Sequence, residues 1–220
     1  MPMSTGTVRE PVFLPQTVGH LLHRAVRTLR RAHIDHADQE AVWLLACALE
    51  QSRLHLLLDR ARPVTSEAST RAEGLVRRRA AGEPLQYLLG TQEFCGLDFE
   101  VNPDVLIPRP ETEVLVEETL RLVSGLTATA PAGPAGPVVV DLGTGSGCLA
   151  VALARALPTA RLYATDQSCA ALQTARRNAA RHGVSHRITF CEGDLLVPLR
   201  AHQLTGRVSA LVSNPPYIPE

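Results

Sequence analysis

Two short stretches hold residues whose types and spacing could do chemistry. In VVVDLGTGSG, Gly143, Gly145 and Gly147 alternate with Thr144 and Ser146 after an apolar run that ends in Asp141 and Leu142. Glycines at a strand-to-helix turn let backbone N–H groups and a helix N-terminus approach a ligand closely. A dinucleotide fingerprint needs G-x-G-x-x-G, and Cys148 stands where its third glycine would be. The second stretch is ALVSNPPYIPE, where an apolar run delivers Asn214, Pro215, Pro216 and Tyr217. The prolines fix the backbone and remove N–H groups, so the Asn214 side-chain oxygen and the Pro215 carbonyl make two acceptors for the two hydrogens of a planar NH2 group. Tyr217 adds an aromatic face to hold such a group flat. Between the two stretches, Asp166 ends RLYATD about 20 residues past the glycines, where a carboxylate accepts from two hydroxyls or caps the next helix. Asp194 in CEGDLL is either a turn aspartate or an acceptor beside the apolar wall of Leu195.

The elements that must position these residues follow from periodicity. From Val138 onward, uninterrupted apolar runs (VVVDLG, RLYATD, RITFCE, VSALVSN) alternate with helical stretches (CLAVALARAL, CAALQTARRNAARHG). This predicts a parallel sheet covered on both faces, with ligands beyond the carboxyl ends of its strands, where every motif above falls. Upstream, helical spacing over Val18–Leu29 and Ala41–Leu49, a short helix capped by Ser52, and a helix from Thr65 or Ser66 to Gly82 predict a small all-helical module. Glu93–Val101 reads as a hairpin around Gly96, and a helix starts near Glu111. Thr127–Pro137 reads as a linker. The expected division is a helical domain over 1–90, a β-hairpin linker over 91–106, and an α/β domain over 107–220.

Of the 220 residues, 45% are hydrophobic and 20% charged, with Arg plus Lys equal to Asp plus Glu. The balance gives no general attraction to nucleic acid or anionic membrane; Arg77, Arg78 and Arg79 form the best local basic patch, and a solvated helix face is the competing account. Cys47, Cys95, Cys148, Cys169 and Cys191 lack C-x-x-C spacing, which suits reduced thiols in a cytoplasmic protein, and the eight histidines lack metal-binding spacing. No signal peptide or membrane-spanning run is visible, so neither membrane nor metal is expected.

The loop with an acidic residue two places before its first glycine resembles that of class I methyltransferases, Rossmann-like enzymes that use S-adenosylmethionine. On that resemblance Gly143–Gly147 would approach the cofactor, Asp166 its ribose, and Asp194 with Leu195 its adenine, although some relatives place an aromatic residue at the Leu195 position. N-P-P-Y suits methylation of an amide or aromatic amine, whose lone pair must turn toward the methyl group. E-P-L-Q-Y, I-P-R-P-E-T-E and N-P-P-Y-I-P together closely resemble the bacterial peptide chain release factor N5-glutamine methyltransferases. The resemblance implies insertion of the glutamine of a Gly-Gly-Gln loop between Asn214, Pro215, Pro216 and Tyr217, with Asn214 also beside the cofactor. It implies a class 1 release factor as partner, gripped by the helical module, and a monomeric enzyme with no direct nucleic-acid contact. Arg109, Pro110, Glu111 and Thr112 would border the cleft as a lid, an ordinary helix start being the competing account. Family members continue past the fourth strand, so the chain reads as a C-terminally truncated member. An adenine-N6 type nucleic-acid methyltransferase and a non-catalytic binder of release factors are the alternatives.

Overall fold

The computed structural model describes residues 16–129 and 136–215. The chain divides into two compact units, Met1–Leu89 and Gly90–Glu220.

The first unit is helical. Helix α1 (Val18–Arg31) buries Val18, Leu21, Leu22, Ala25 and Leu29 along one stripe, and Thr17 caps it by accepting from the His20 N–H. Helix α2 (Ala37–Ala48) starts earlier than its apolar run implies, because Asp38 and Glu40 occupy its first turn, where carboxylates favour the helix dipole. Ser52 caps α3 (Arg53–Leu58) and Thr65 caps α4 (Ser66–Ala80). A fifth helix, α5 (Leu85–Leu89), falls on E-P-L-Q-Y; it is too short to show a period in sequence, yet Leu85 and Leu88 join the core of this unit. Two of the three consecutive arginines are engaged within the unit. Arg79 makes a paired contact with the largely buried Glu40 (2.6 and 3.1 Å), which raises the guanidinium pKa, and Arg78 pairs with Glu83, whose carboxyl it lowers. Their charges are therefore balanced in place.

The second unit opens with a hairpin, β1 (Thr91–Phe94) and β2 (Leu97–Glu100), in antiparallel register Phe94↔Leu97. Cys95 and Gly96 both take positive φ, as a two-residue hairpin turn requires, and the Cys95 N–H donates to Glu113 Oε1 (2.7 Å). Phe94 and Phe99 are fully buried, edge to face, in the same core as the α/β elements that follow. Helix α6 (Pro110–Thr129) begins at a proline and extends into the stretch expected as linker; the remainder of that stretch up to residue 135 lies outside the described residues. Then come β3 (Val138–Leu142), α7 (Cys148–Ala156), β4 (Arg161–Asp166), α8 (Cys169–Arg181), β5 (Ile188–Glu192) and β6 (Ala210–Ser213). The four strands form one parallel sheet in the order β5-β4-β3-β6, with all of β3 buried. The expected α/β fold is the fold observed. Among the described residues, β6 forms one edge, beside a groove of about 460 Å3 whose lining includes Leu115 and Leu122 of α6 and Leu211 of β6. No described helix is long and apolar enough to cross a membrane.

Helix α8 ties the hairpin to the glycine loop. The fully buried Asn178 side chain accepts from the Glu100 N–H (2.7 Å) and donates to the carbonyls of Glu100 (3.0 Å) and Ser146 (2.9 Å). Arg177 grips the Glu100 carboxylate, and Asn102 donates to Thr174. Removing one buried partner leaves the others unpaired, so Asn178→Ala should lose about 2–4 kcal/mol of stability in a urea titration. Asn178→Asp should be no better, because it aims a carboxylate at two carbonyls. A midpoint unchanged in both variants would contradict this role.

Candidate active site

The sheet order sets the site. After β3 the chain adds β4 and β5 on one side, then returns to place β6 on the other, so the order reverses beside β3. Register pairs Leu142 with Ser213, and Ser213 Oγ donates to the Leu142 carbonyl (2.9 Å). The glycine loop and Asn214 thus leave adjacent strands at the same level, side by side at the switch point. Pro215 is described next to Asn214; Pro216 and Tyr217 lie outside the described residues.

The loop folds back onto the end of β4, with the Gly143 and Thr144 N–H groups both donating to the Thr165 carbonyl (2.9 Å). Two of its glycines differ in purpose from the third. A Cβ on Gly143 (φ +70°) or Gly145 (φ +55°) would meet nothing within 4 Å, so that side of the loop is clear for a ligand. A Cβ on Gly147 would stand 2.9 Å from the Ala175 side chain, so this glycine serves the close packing of the loop on α8. Ser146 is buried beneath the loop and Thr144 reaches inward.

Asp166 sits at the end of β4. Its Oδ2 accepts from the Gly145 N–H and its Oδ1 from the Ser168 N–H, each at 2.9 Å. The cap of α8 is Ser168, which accepts from Ala171, so capping is not the carboxylate's task. Each Asp166 oxygen keeps a further lone pair for a ligand hydroxyl. Asp194 Oδ1 accepts from Gln167 Nε2 (2.7 Å), and the Gly193 N–H donates to the Asp166 carbonyl (2.9 Å), which joins the ends of β4 and β5. Leu195 adopts positive φ (+44°), rare for a leucine, and the residue is 59% exposed. Gln167 escaped sequence reading, because a glutamine after a strand carries no signal of its own.

Pro110, Glu111 and Thr112 form the first turn of α6 and Arg109 immediately precedes it, its carbonyl accepting from the Thr112 N–H. Thr112 nonetheless reaches the site, accepting from Asn214 Nδ2 at 2.9 Å. The five cysteines are unpaired, and burial pushes the Cys95 and Cys148 thiols up to about 11 and about 12, with nearby carboxylates adding to the rise. Cys95 and Cys148 are therefore poor nucleophiles. Among the described residues no group of three or more His, Cys, Asp or Glu is placed to hold a metal ion.

Two family models match the chain, the PrmC N-terminal domain over residues 20–90 and the methyltransferase small domain over residues 119–219. A release factor glutamine methyltransferase of Geobacter sulfurreducens is 48% identical over 84% of this chain and 60% of its own length. One from Moorella thermoacetica is 44% identical over 92% of this chain and 68% of its own length. The chain belongs to the release factor glutamine methyltransferase family. It spans 60% to 68% of the length of these two curated relatives. A solved SAM-dependent methyltransferase from Agrobacterium tumefaciens is 20% identical over 57% of this chain and 39% of that one, with a TM-score of 0.45, too loose an overlap to add to the assignment.

In this family member the acidic residue before the first glycine is a buttress. Asp141 is 1% exposed; its Oδ2 accepts from Thr144 Oγ1 (2.6 Å), while Oδ1 has no partner at hydrogen-bond geometry. Burial pushes its carboxyl up to about 6, against the pull of the Thr144 hydroxyl and the Ala150 N–H, and the Asp166 charge adds to the rise. A folded pKa above the ordinary carboxyl value means that stability is full at low pH and falls as the pH rises through about 6. The size of the effect is about 3 kcal/mol, from roughly 1.4 kcal/mol per pH unit. Asp141→Asn removes this titration, so the variant should gain on the parent chain between pH 4 and pH 8 in paired thermal melts, on the order of that value. A stability difference that does not change with pH would contradict the assignment.

Proposed function

We propose that the protein is an S-adenosylmethionine-dependent methyltransferase that methylates the side-chain amide nitrogen (N5) of a glutamine in the Gly-Gly-Gln loop of class 1 peptide chain release factors. The single observation that carries this reading is the Leu142↔Ser213 register, which sets the open glycine loop beside Asn214. Family membership supports the substrate, and the site residues suit the cofactor. Gly143 and Gly145 leave a clear surface, Asp166 keeps acceptor capacity for hydroxyls, and Leu195 offers an exposed apolar face close to the Asp194 carboxylate.

The bound cofactor supplies an electrophilic methyl group. The chain's own residues do the rest. Asn214 Oδ1 and the Pro215 carbonyl hold the substrate NH2 by its two hydrogens, and Tyr217 keeps the amide plane flat, so the nitrogen lone pair turns toward the glycine loop. The conjugated amide nitrogen is a weak nucleophile, and orientation with desolvation is the contribution such a site can make. The proton leaves after transfer, so no strong base is needed. The helical unit grips the release factor, and the enzyme works as a cytoplasmic monomer. The nucleic-acid alternative required the arginine cluster to line the cleft. Arg78 and Arg79 are instead occupied by Glu83 and Glu40.

Incubation with labelled S-adenosylmethionine and a release factor, followed by peptide mapping, should place one methyl group on the Gly-Gly-Gln glutamine. Label on nucleic acid, or none on the release factor, would sink the reading. Asp166→Ala should weaken cofactor binding by about 1–3 kcal/mol in titration calorimetry, the scale of lost hydrogen bonds to a charged group. Asn214→Ala should leave cofactor affinity within a few-fold and lower turnover about a hundredfold or more, as removal of one positioned polar group does.

A further inference from the structure

An asparagine amide has two ends of nearly equal shape and opposite function. Oδ1 accepts and Nδ2 donates, and a half-turn about the last side-chain bond exchanges them. In the reading proposed above, only one orientation of Asn214 is useful, because a substrate NH2 met by another NH2 would leave donors facing donors. Nothing in Asn214 itself makes the choice.

Its neighbour does. Asn214 Nδ2 donates to Thr112 Oγ1 at 2.9 Å, so the nitrogen end is occupied and Oδ1 is left over. Thr112 is suited to this. It is 5% exposed, which limits competition from water, and its backbone is fixed in the first turn of α6, where its N–H donates to the Arg109 carbonyl (3.0 Å). Its branched Cβ restricts the rotamers available to the hydroxyl. On the other side of Asn214, the Ser213 hydroxyl ties the preceding residue to β3. Backbone and amide plane are thus set from two independent elements.

We propose that Thr112 is a positioning residue that fixes the rotation of the Asn214 amide and thereby leaves Oδ1 as the acceptor for the substrate NH2. The proposal rests on the methyltransferase reading for the identity of the substrate, and on the Thr112–Asn214 bond alone for the orientation. Thr112→Val keeps the shape and removes the acceptor. Thr112→Ser keeps the acceptor. If Thr112 only filled space, valine would be the milder change.

The test uses the full chain in two arms. In the first, the two Asn214 side-chain N–H signals are followed in 15N-labelled protein. The parent should show a cross-relaxation contact from one of them to the Thr112 side chain, Thr112→Ser should keep the split pair, and Thr112→Val should shift it. In the second, release factor methylation is measured. Thr112→Val should lower kcat roughly tenfold or more with KM for S-adenosylmethionine unchanged, and Thr112→Ser should recover to within about threefold. A carboxylate has no wrong end, so in the Asn214→Asp background Thr112→Val should cost less than about threefold. The proposal is overturned if the parent lacks the Thr112 contact, if valine matches the parent in both arms, or if its penalty is the same in the Asp background. A parent chain that transfers no methyl group to the release factor would refute the function proposed above, and the first arm would still decide the orientation.

Discussion

The geometry of the α/β unit depends on one side chain that acts as a short piece of strand. Asn178 offers the hairpin a donor and an acceptor, as a neighbouring backbone would, and uses its second amide hydrogen on the Ser146 carbonyl. Backbone groups at the end of β2 and in the glycine loop are buried here away from sheet partners of their own, and a buried unpaired group is expensive. With Asn178 in place, the loop can lie flat on α8. Gly147 then completes the contact, since any side chain there would collide with Ala175. Hairpin, loop and helix therefore hold their positions together or not at all.

The charges around the loop are divided by burial. Asp166 stays at the surface of the site and spends its two oxygens on loop and turn N–H groups while keeping room for more. Asp141, two residues before the first glycine, lies behind the loop with a single strong partner. One carboxylate faces where a ligand would be and the other supports the turn from beneath, although both stand at or next to the end of an apolar strand and look alike in the sequence.

Local features were legible in the sequence. The alternation of apolar runs with helical stretches revealed the parallel sheet, and the glycine spacing and Asn214 marked two segments that the fold sets side by side, because each depends on residues close together in the chain. What the sequence hid depends on separation. Asn178 meets Glu100 across 78 positions, and Asn214 meets Thr112 across 102. No short pattern encodes such meetings. Helix α5 was hidden for a different reason, since five residues are too few to establish a period, and the start of α2 was obscured by polar residues that serve the dipole and not the core. The arginine triplet left a solvated face and a binding patch both open in the sequence, because the partners of Arg78 and Arg79, Glu83 and Glu40, are matched to them only once the helices are folded.

The pairing of β6 with β3 has a genetic corollary. Asn214 is carried by a four-residue strand, so its location is only as secure as the alignment of that strand. Strand side chains alternate between faces, and a slip by one residue would move Asn214 about 3.3 Å along the sheet and turn it to the opposite side. Val212 is the buried residue of β6, set opposite Asp141, and it is what resists the slip. On the function proposed, a substitution at Val212 would touch no reacting atom, yet in a screen for lost activity it would be scored beside lesions of Asn214 itself.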